Sequence, residues 1–206
     1  MASGIKWRYL TTRSIGLDLK NLRIHPASLG GEIYLLISRR KAMPDVQIEA
    51  LDIDKEEEDQ VIIGMANFTI KTCDDLFRAV LSAVPGVKVG VAMNEAAPML
   101  TRCTGNERRL EELASRTALE IGASHAFIIF MRGAYPINVL SCIRNVPGVC
   151  TILGSTANPC QVIIGRTELG SAILGFVDGT QVKSIENEDG RSQRRDLVGK
   201  IGYPLG

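Results

Sequence analysis

The chain has 206 residues, of which 45% are hydrophobic, 23% are charged and 5% are aromatic, a composition typical of a globular domain. No run reaches the roughly 18 apolar residues that a membrane-spanning helix needs, so we expect no membrane partner. Residues 43–206 carry 16 basic and 21 acidic side chains, a net charge of −5. Because nucleic-acid binding needs a basic surface, this balance argues against nucleic acid as a partner.

The first 42 residues form a basic N-terminal extension, with eight of the 24 Lys and Arg residues but only two of the 23 Asp and Glu residues. Its apolar stretch IYLLI is too short for the core of a signal peptide. Three interpretations stay open: an organellar transit-like segment, an over-extended start with translation beginning at Met43, and an additional functional segment. We therefore divide the chain into this extension, 1–42, and a single α/β domain, 43–206.

From residue 43 onward, strand and helix patterns alternate. MPDVQIEALDIDKEEED (43–59) predicts a strand followed by an acidic surface loop, and VIIGMANFTI predicts a second strand. Thr72–Asp75 has the spacing of a capping box and precedes a helical repeat that ends at Pro85-Gly86. VKVGVAM predicts the next strand. After a loop over 94–106, Asn106 is the expected cap of a helix that ends at Gly122.

The second half continues the alternation. HAFIIFM predicts a buried strand, and Pro136 begins a helix that ends at Pro147-Gly148. VCTIL, CQVIIG and SAILGFV predict three more strands, and a polar helix covers roughly 189–199. The order β-α-β-α-β-α-β-β-β predicts an α/β layered fold with a mixed, mostly parallel sheet and helices packed on it.

One internal similarity stands out. LSAVPGVKVGVAMNEAAP (81–98) and IRNVPGVCTILGSTANPC (143–160) align at a constant offset of 62 residues. Both predict a helix, the sequence Val-Pro-Gly-Val, a strand and then a polar cluster. The similarity is either a convenient helix-to-strand connection or the trace of a duplication. In either case Asn94-Glu95 and Thr156-Ala157 occupy equivalent positions directly after a strand.

The five cysteines give no metal-binding or disulfide pattern. Cys73, Cys103, Cys142, Cys150 and Cys160 lack CxxC spacing, and the chain has only two histidines, so zinc-ligand spacing is absent. We interpret them as free thiols in a reducing compartment, assign no metal ligands, and expect a cytoplasmic location. His125, at a strand start, is interpreted as structural.

Polar side chains follow most of the predicted strands, where ligands bind in open α/β sheets. They are Lys71, Thr72, Asn94, Glu95, Arg132, Asn138, Ser155, Thr156, Asn158 and Asp178. At a shared rim, Lys71 and Arg132 could neutralise phosphate, and a carboxylate could hold Mg²⁺ or accept a proton. Structural alternatives stay open, above all a self-bonded turn in GSTANP and a turn at Asp178-Gly179. The phosphate loops GxxxxGK[ST] and GxGxxG are both missing.

Several strings carry a family resemblance. VIIGMANFTIKT, GVAMNEA, GASHAFIIFMRGAYPINVL, IRNVPGVCTILGSTANP, AILGFVDG and KIGYPL together resemble the adenosine-specific kinase family of prokaryotes over about residues 61–206. The resemblance implies a compact α/β protomer that forms a trimeric or hexameric homo-oligomer, binds adenosine or AMP and transfers a phosphoryl group to adenosine. The family motif positions are Lys71, Thr72, Glu95, Asn138, Thr156, Asn158 and Asp178. Met93 and Asn94 replace an expected aromatic residue and cysteine, which puts the ligand preference in doubt.

The leading hypothesis is an adenosine- or AMP-binding phosphotransferase that uses Mg²⁺ and ATP. Glu95 and Asp178 are its candidate catalytic residues. Its candidate substrate-binding residues are Lys71, Thr72, Asn94, Arg132, Asn138, Ser155, Thr156 and Asn158. The alternatives are a non-catalytic AMP or adenosine sensor and an assembly protein whose polar cluster is only a subunit interface.

Overall fold

The computed structural model describes the backbone of residues 22–29 and 32–39 and the complete residues 45–204. The chain divides into two compact units, Met1–Asp45 and Val46–Gly206. In the first unit, strands β1 (Leu22–Leu29) and β2 (Glu32–Arg39) pair as an antiparallel hairpin. The interpretation of residues 1–42 falls largely outside the described residues and stays a prediction.

Over residues 46–204, the part of the second unit that the structure describes, the chain forms two antiparallel sheets and four helices. The larger sheet has the strand order β6 (Thr101–Gly105), β5 (Lys88–Asn94), β7 (Ala126–Arg132), β4 (Gln60–Ala66), β8 (Val149–Thr156), and the smaller has the order β10 (Ser171–Asp178), β9 (Cys160–Arg166), β3 (Gln47–Asp52). The helices are α1 (Thr69–Ala83), α2 (Arg108–Ile121), α3 (Pro136–Arg144) and α4 (Glu188–Lys200). Among these helices, none combines the length and the apolar character that crossing a membrane requires.

The larger sheet is buried on both faces. Because successive side chains of a strand point to opposite faces, the apolar run of β7 supplies two cores. Phe127 and Met131 belong to the core beneath α1 and α3, whereas Ile128 and Phe130 belong to the core shared with α2 and the smaller sheet. The prediction of a buried strand in HAFIIFM is therefore confirmed.

The prediction of a mostly parallel sheet is wrong, although the α/β class is confirmed. Every strand pair in the described residues is antiparallel. The connections β4–α1–β5 and β7–α3–β8 do join strands that run in the same direction. The two connections interleave, however, since β7 lies between β4 and β5, and β4 lies between β7 and β8.

The start of α1 also differs from the sequence-based expectation. The helix begins at Thr69, after Phe68 in the left-handed region at φ 56°, so Thr72 and Asp75 do not form the predicted capping box. Thr72 instead lies within the first turn, where its hydroxyl donates to the carbonyl of Asn67 at 2.7 Å.

The segment 94–106, expected to be a loop, contains β6 as an edge strand. The cap of α2 is Glu107, whose carboxylate accepts from backbone N–H groups in the first turn, and not Asn106. The Asn106 side chain bonds the backbone at both Val87 and Val89 at 2.8 Å. The Asn106 amide therefore stabilises the start of β5, and its hydrogen-bonding groups are not used to cap α2.

Candidate functional site

The ten predicted site residues do not share one rim, because the sheet is antiparallel. We call the side where β4 and β5 end the Glu95 end, and the side where β7 and β8 end the Arg132 end. The Glu95 end carries Lys71, Thr72, Asn94 and Glu95, and the Arg132 end carries Arg132, Asn138, Ser155, Thr156, Asn158 and Asp178. Each end is therefore considered as a separate polar cluster.

Asn94 is the centre of the Glu95 end. Its carbonyl accepts from the hydroxyl of Thr69 at 3.1 Å and from the backbone N–H of His125 at 2.9 Å. Its buried side-chain amide donates to the carbonyls of Ala118 and Ala123 at 2.7 and 3.0 Å. Because these hydrogen bonds occupy the side-chain amide, we assign Asn94 a structural role: it holds the backbone in place just before Glu95.

Glu95 is held by an ion pair at the mouth of this end. Its side chain is 15% exposed, and Oε2 accepts from Arg102 Nε at 2.8 Å and Nη2 at 2.7 Å. Its backbone N–H donates to the carbonyl of Leu100 at 2.8 Å. Arg102 lies on β6, opposite Met93. Its pairing with Glu95 was not expected, because β6 was not predicted.

The N-terminus of α1 opens next to Glu95. No side chain caps it, and its first turn has no acidic residue, so its backbone N–H groups and partial positive charge are suited to an anion. Lys71 projects from this turn with an exposed side chain that pairs with Asp75. Thr72 is buried and bonded to the backbone, so it shapes the turn from inside.

Three non-glycine residues of the described part have positive φ, and all three lie at the Glu95 end. They are Phe68 at 56°, Met99 at 66° and His125 at 64°. The left-handed region costs about 1 kcal/mol or more for such residues and is concentrated at functional sites. Nothing in the local sequence identified these positions. Their clustering favours the Glu95 end as the ligand-binding end.

The Arg132 end contains a buried carboxylate clamped by two arginines. Asp59 has no exposed side-chain surface, and its Oδ1 accepts from Arg109 at 2.6 Å and Arg132 at 2.8 Å. Burial alone would raise the pKa of Asp59, but hydrogen bonds from Arg109, the Glu56 backbone and Arg132 outweigh it and lower the pKa. The acidic run at 56–59 was predicted to be a surface loop. That prediction is wrong for Asp59, which is buried.

Arg132 has little freedom for the phosphate-binding role expected of it. Besides Asp59, it contacts the carboxylates of Glu56 and, at 3.5 Å, Glu58. The hydrogen bonds that it donates to Glu56 and Asp59 raise its pKa. A phosphate would have to compete with three carboxylates, two of them on exposed side chains. The structure thus gives Arg132 a clear role in joining β7 to the 56–59 loop.

GSTANP forms a bonded turn against the end of β10. The Thr156 hydroxyl donates to Asp178 Oδ1 at 2.5 Å and accepts from the Asn158 backbone N–H at 2.9 Å. The Asn158 side chain donates to the same Asp178 oxygen at 3.0 Å. The three predicted residues are therefore brought together, in the arrangement of the self-bonded turn that the sequence left open.

The N-terminus of α3 lies at the same end. Asn138 Oδ1 accepts from the backbone N–H of Tyr135 at 2.9 Å, and its Nδ2 donates to the Tyr203 hydroxyl at 3.3 Å. Ser155 is half-buried on the sheet face below α3, since it pairs with Ile62. This brings parts of the strings AYPINVL, STANP and KIGYPL to one end of the sheet.

Neither end holds a preformed metal cage among the described residues, which contain no group of three or more His, Cys, Asp or Glu side chains suited to a metal ion. A surface hollow of about 490 Å³ lies instead on α4, lined by Arg195, Asp196, Gly199, Lys200 and Pro204. Because α4 has no buried residue, this hollow is open solvent-exposed surface, and it contains none of the predicted site residues.

Comparison with known proteins gives a match to one family and matches to solved structures. The model of the family described as adenosine specific kinase matches residues 51–204. A protein from Pyrococcus horikoshii OT3, known from a crystal structure, shares 54% sequence identity with this chain. The two structures superpose with a TM-score of 0.77, and the match covers 79% of this chain and 100% of that one. No curated protein matches the chain. With three quarters of its length matched by the family model, the chain belongs to the adenosine specific kinase family.

Proposed function

We propose that this protein is an adenosine- or AMP-binding phosphotransferase that phosphorylates adenosine with a nucleoside triphosphate. Membership of the adenosine specific kinase family supports adenosine as the ligand. The phosphoryl chemistry is assigned to the Glu95 end. Phosphoryl transfer relies mainly on positioning and charge stabilisation around the transferred group, and this end offers both a carboxylate and an anion-attracting helix terminus.

The observation that carries the proposal is the placement of Glu95 beside the uncapped start of α1. The Thr69 hydroxyl bonds the Asn94 carbonyl, so the helix terminus and the Glu95 backbone are neighbours. In the proposed reaction Glu95 accepts the proton of the attacking adenosine hydroxyl as the hydroxyl oxygen bonds to the γ-phosphorus of the triphosphate, and the bond from that phosphorus to the bridging oxygen breaks to release the nucleoside diphosphate. The α1 N–H groups and Lys71 bind the phosphate oxygens.

Arg102 has a positioning role in this proposal. Its guanidinium holds one Glu95 oxygen with two N–H groups, which fixes the carboxylate and leaves the other oxygen available. Arg102 does not need to contact the substrate for this purpose.

Mg²⁺ and ATP belong to the proposal as co-substrates. Mg²⁺ in such sites is usually held by one or two carboxylates together with substrate phosphates and water. Since the free oxygen of Glu95 is assigned to the proton, we expect the ion to arrive with the triphosphate and to be held mainly by phosphate oxygens and water. Asp178 lies at the Arg132 end and cannot share that ion within one chain.

A non-catalytic adenosine or AMP sensor is the second candidate. It is favoured by the lack of the loops GxxxxGK[ST] and GxGxxG for a donor triphosphate. The sensor predicts saturable binding of AMP without formation of AMP or ADP from adenosine and ATP.

The test is turnover of adenosine and ATP by Glu95→Gln. Loss of a general base lowers kcat by about 10²- to 10⁴-fold, whereas adenosine binding should persist because the amide has nearly the same shape. Glu112→Gln is the matched control, since Glu112 lies on the exposed side of α2 and pairs only with Arg108. An unchanged kcat in Glu95→Gln would show that Glu95 is not the general base. Wild-type protein that binds adenosine or AMP but forms no product from adenosine and ATP would support the sensor.

A further inference from the structure

Phe68 is a bulky, exposed residue at a backbone position that favours glycine. It directly precedes α1 with a φ of 56°, in the left-handed region, and it is 58% exposed. Glycine adopts this conformation freely, whereas a residue with a Cβ is strained there. Because an exposed side chain also gains little from packing, folding stability does not account for a phenylalanine at this position.

The backbone around Phe68 is fixed by hydrogen bonds on both sides. The Phe68 N–H donates to the side-chain oxygen of Asn67 at 2.7 Å, and its carbonyl accepts from the N–H groups of Lys71 and Thr72 at 3.1 and 3.0 Å. The Asn67 N–H donates in turn to the carbonyl of Gly148 at 2.7 Å. A strained conformation that the surroundings enforce is concentrated at functional sites, and here it holds an aromatic residue at the surface.

Phe68 lies close to Glu95 through a direct contact between their neighbours in the chain. The residue after Phe68, Thr69, donates its hydroxyl to the carbonyl of Asn94 at 3.1 Å, and Asn94 directly precedes Glu95. Covalent geometry on either side of this hydrogen bond keeps the Cα atoms of Phe68 and Glu95 within about 12 Å of each other. Since only the sugar separates the base of a nucleoside from its reactive hydroxyl, one adenosine molecule can contact both side chains.

Among residues 45–204, Phe68 is the exposed aromatic residue of the Glu95 end. The other exposed aromatic residues of that range, Tyr135 and Tyr203, lie at the Arg132 end. Bases stack on such side chains, and every base can do so because each has a π-face. The exposed residue Leu100 adds apolar surface nearby, since its carbonyl accepts from the Glu95 N–H at 2.8 Å. The Glu95 end therefore offers an apolar surface for a flat, uncharged ring next to its polar groups.

We propose that Phe68 binds the base of adenosine by stacking, with the reactive hydroxyl of the nucleoside directed towards Glu95. The inference rests on the proposed function and adds a binding residue for the base. The uncharged base suits the Phe68 ring, whereas the phosphates suit the N-terminus of α1 and Lys71. Phe68 thus contributes affinity for the nucleoside, and the phosphoryl chemistry stays with Glu95.

The first experiment compares the adenosine kinetics of wild-type protein and Phe68→Asn. Asparagine tolerates the left-handed region, so the melting temperature should not fall. The KM for adenosine should rise about tenfold or more, the usual contribution of base stacking, while kcat changes less than about twofold because Phe68 does not contact the reacting atoms. Phe68→Tyr should keep the wild-type KM. Ile48→Asn is the matched control, since Ile48 is 69% exposed but lies on β3 of the smaller sheet.

The outcomes separate this inference from the proposed function. If wild-type protein binds neither adenosine nor AMP, the proposed function fails. If wild-type protein phosphorylates adenosine while folded Phe68→Asn keeps the wild-type KM, Phe68 does not bind the base and the function stands. A lower melting temperature together with an equal loss in Phe68→Tyr would show a structural role for Phe68. A changed oligomer mass of Phe68→Asn in light scattering, with the KM unchanged, would assign Phe68 to a subunit interface instead.

The second experiment detects the stacking contact itself, with AMP and ribose 5-phosphate as probes. The two ligands share the sugar and the phosphate and differ in the base. In Phe68→Trp, AMP should quench the tryptophan fluorescence because the base stacks on the indole, whereas ribose 5-phosphate should leave it unchanged. Wild-type protein, whose one tryptophan is Trp7, corrects for signal that does not come from residue 68. Equal quenching by both ligands, or no quenching at an AMP concentration that saturates binding in calorimetry, would overturn the inference.

Discussion

Replacing Asp59 with Asn should lower the free energy of unfolding by about 3 kcal/mol at pH 7. Removing one partner of a buried ion pair usually costs about 3–5 kcal/mol, because the other charges stay buried without compensation. Asp59 is fully buried, and its carboxylate accepts from Arg109, Arg132 and the Glu56 backbone. We take the lower end of that range because both arginines keep part of their surface in water.

The stability difference between wild-type protein and Asp59→Asn should depend on pH, in a direction set by the pKa of Asp59. The folded-state pKa of Asp59 is lowered, whereas an unfolded Asp has a pKa of about 3.9. The carboxylate therefore contributes its full stabilisation above the unfolded value and loses it as the pH falls towards the folded value. The difference between wild-type protein and Asp59→Asn should narrow below about pH 4.

Urea unfolding at pH 7 and at about pH 3.5, followed by circular dichroism, measures both quantities. Glu58→Gln is the control, because Glu58 is 78% exposed and lies 3.5 Å from the same Arg132, so it should change stability by less than about 0.5 kcal/mol. Adenosine binding by folded Asp59→Asn should match wild-type protein. A change in stability below 1 kcal/mol, or a difference that is the same at both pH values, would refute this account of the cluster.

Two further predictions concern packing and thiol reactivity. Gly90→Ala should destabilise the protein by about 2 kcal/mol or more, since a Cβ there would lie 2.2 Å from the backbone of α2; Gly170→Ala, with nothing within 4 Å, should be neutral, and denaturant midpoints compare the two. A maleimide should label exposed Cys103 within minutes, whereas Cys73, whose pKa burial raises to about 12, should react only on unfolding; mass spectrometry of the two peptides checks this order.

Most of the strands and helices, with β6 as an exception, could be predicted from the sequence because their signals are local. Continuous apolar runs identified β5 and β7, Gly122 ended α2, and Pro136 began α3, all as observed. The order of the strands in the sheet could not be predicted, because no local sequence pattern encodes which strand inserts between two others. The parallel expectation followed from helix-linked strands that do run in the same direction but are separated by β7 or β4.

The candidate site was predicted only in part for a related reason. Glu95 and Thr156 stood out because polar residues end apolar strands, a pattern that is visible in the chain itself. Arg102 and Asp59 did not: the pairing of Arg102 with Glu95 depends on β6, which was not predicted, and the importance of Asp59 depends on burial and on arginines distant in the sequence. Asp59 in particular closes a run of acidic residues that reads as solvated surface.

The internal similarity explains why the polar clusters lie at opposite ends. The Val-Pro-Gly-Val sequence at 84–87 precedes β5, and its counterpart at 146–149 precedes β8. β5 runs with β4 and β8 runs against it, so equivalent positions after the two strands, Glu95 and Ala157, necessarily face away from each other. Within one chain the arrangement therefore separates the two clusters. The interleaved antiparallel sheet thus keeps the two candidate catalytic carboxylates, Glu95 and Asp178, at opposite ends of the sheet, so within one chain they cannot act on the same phosphate.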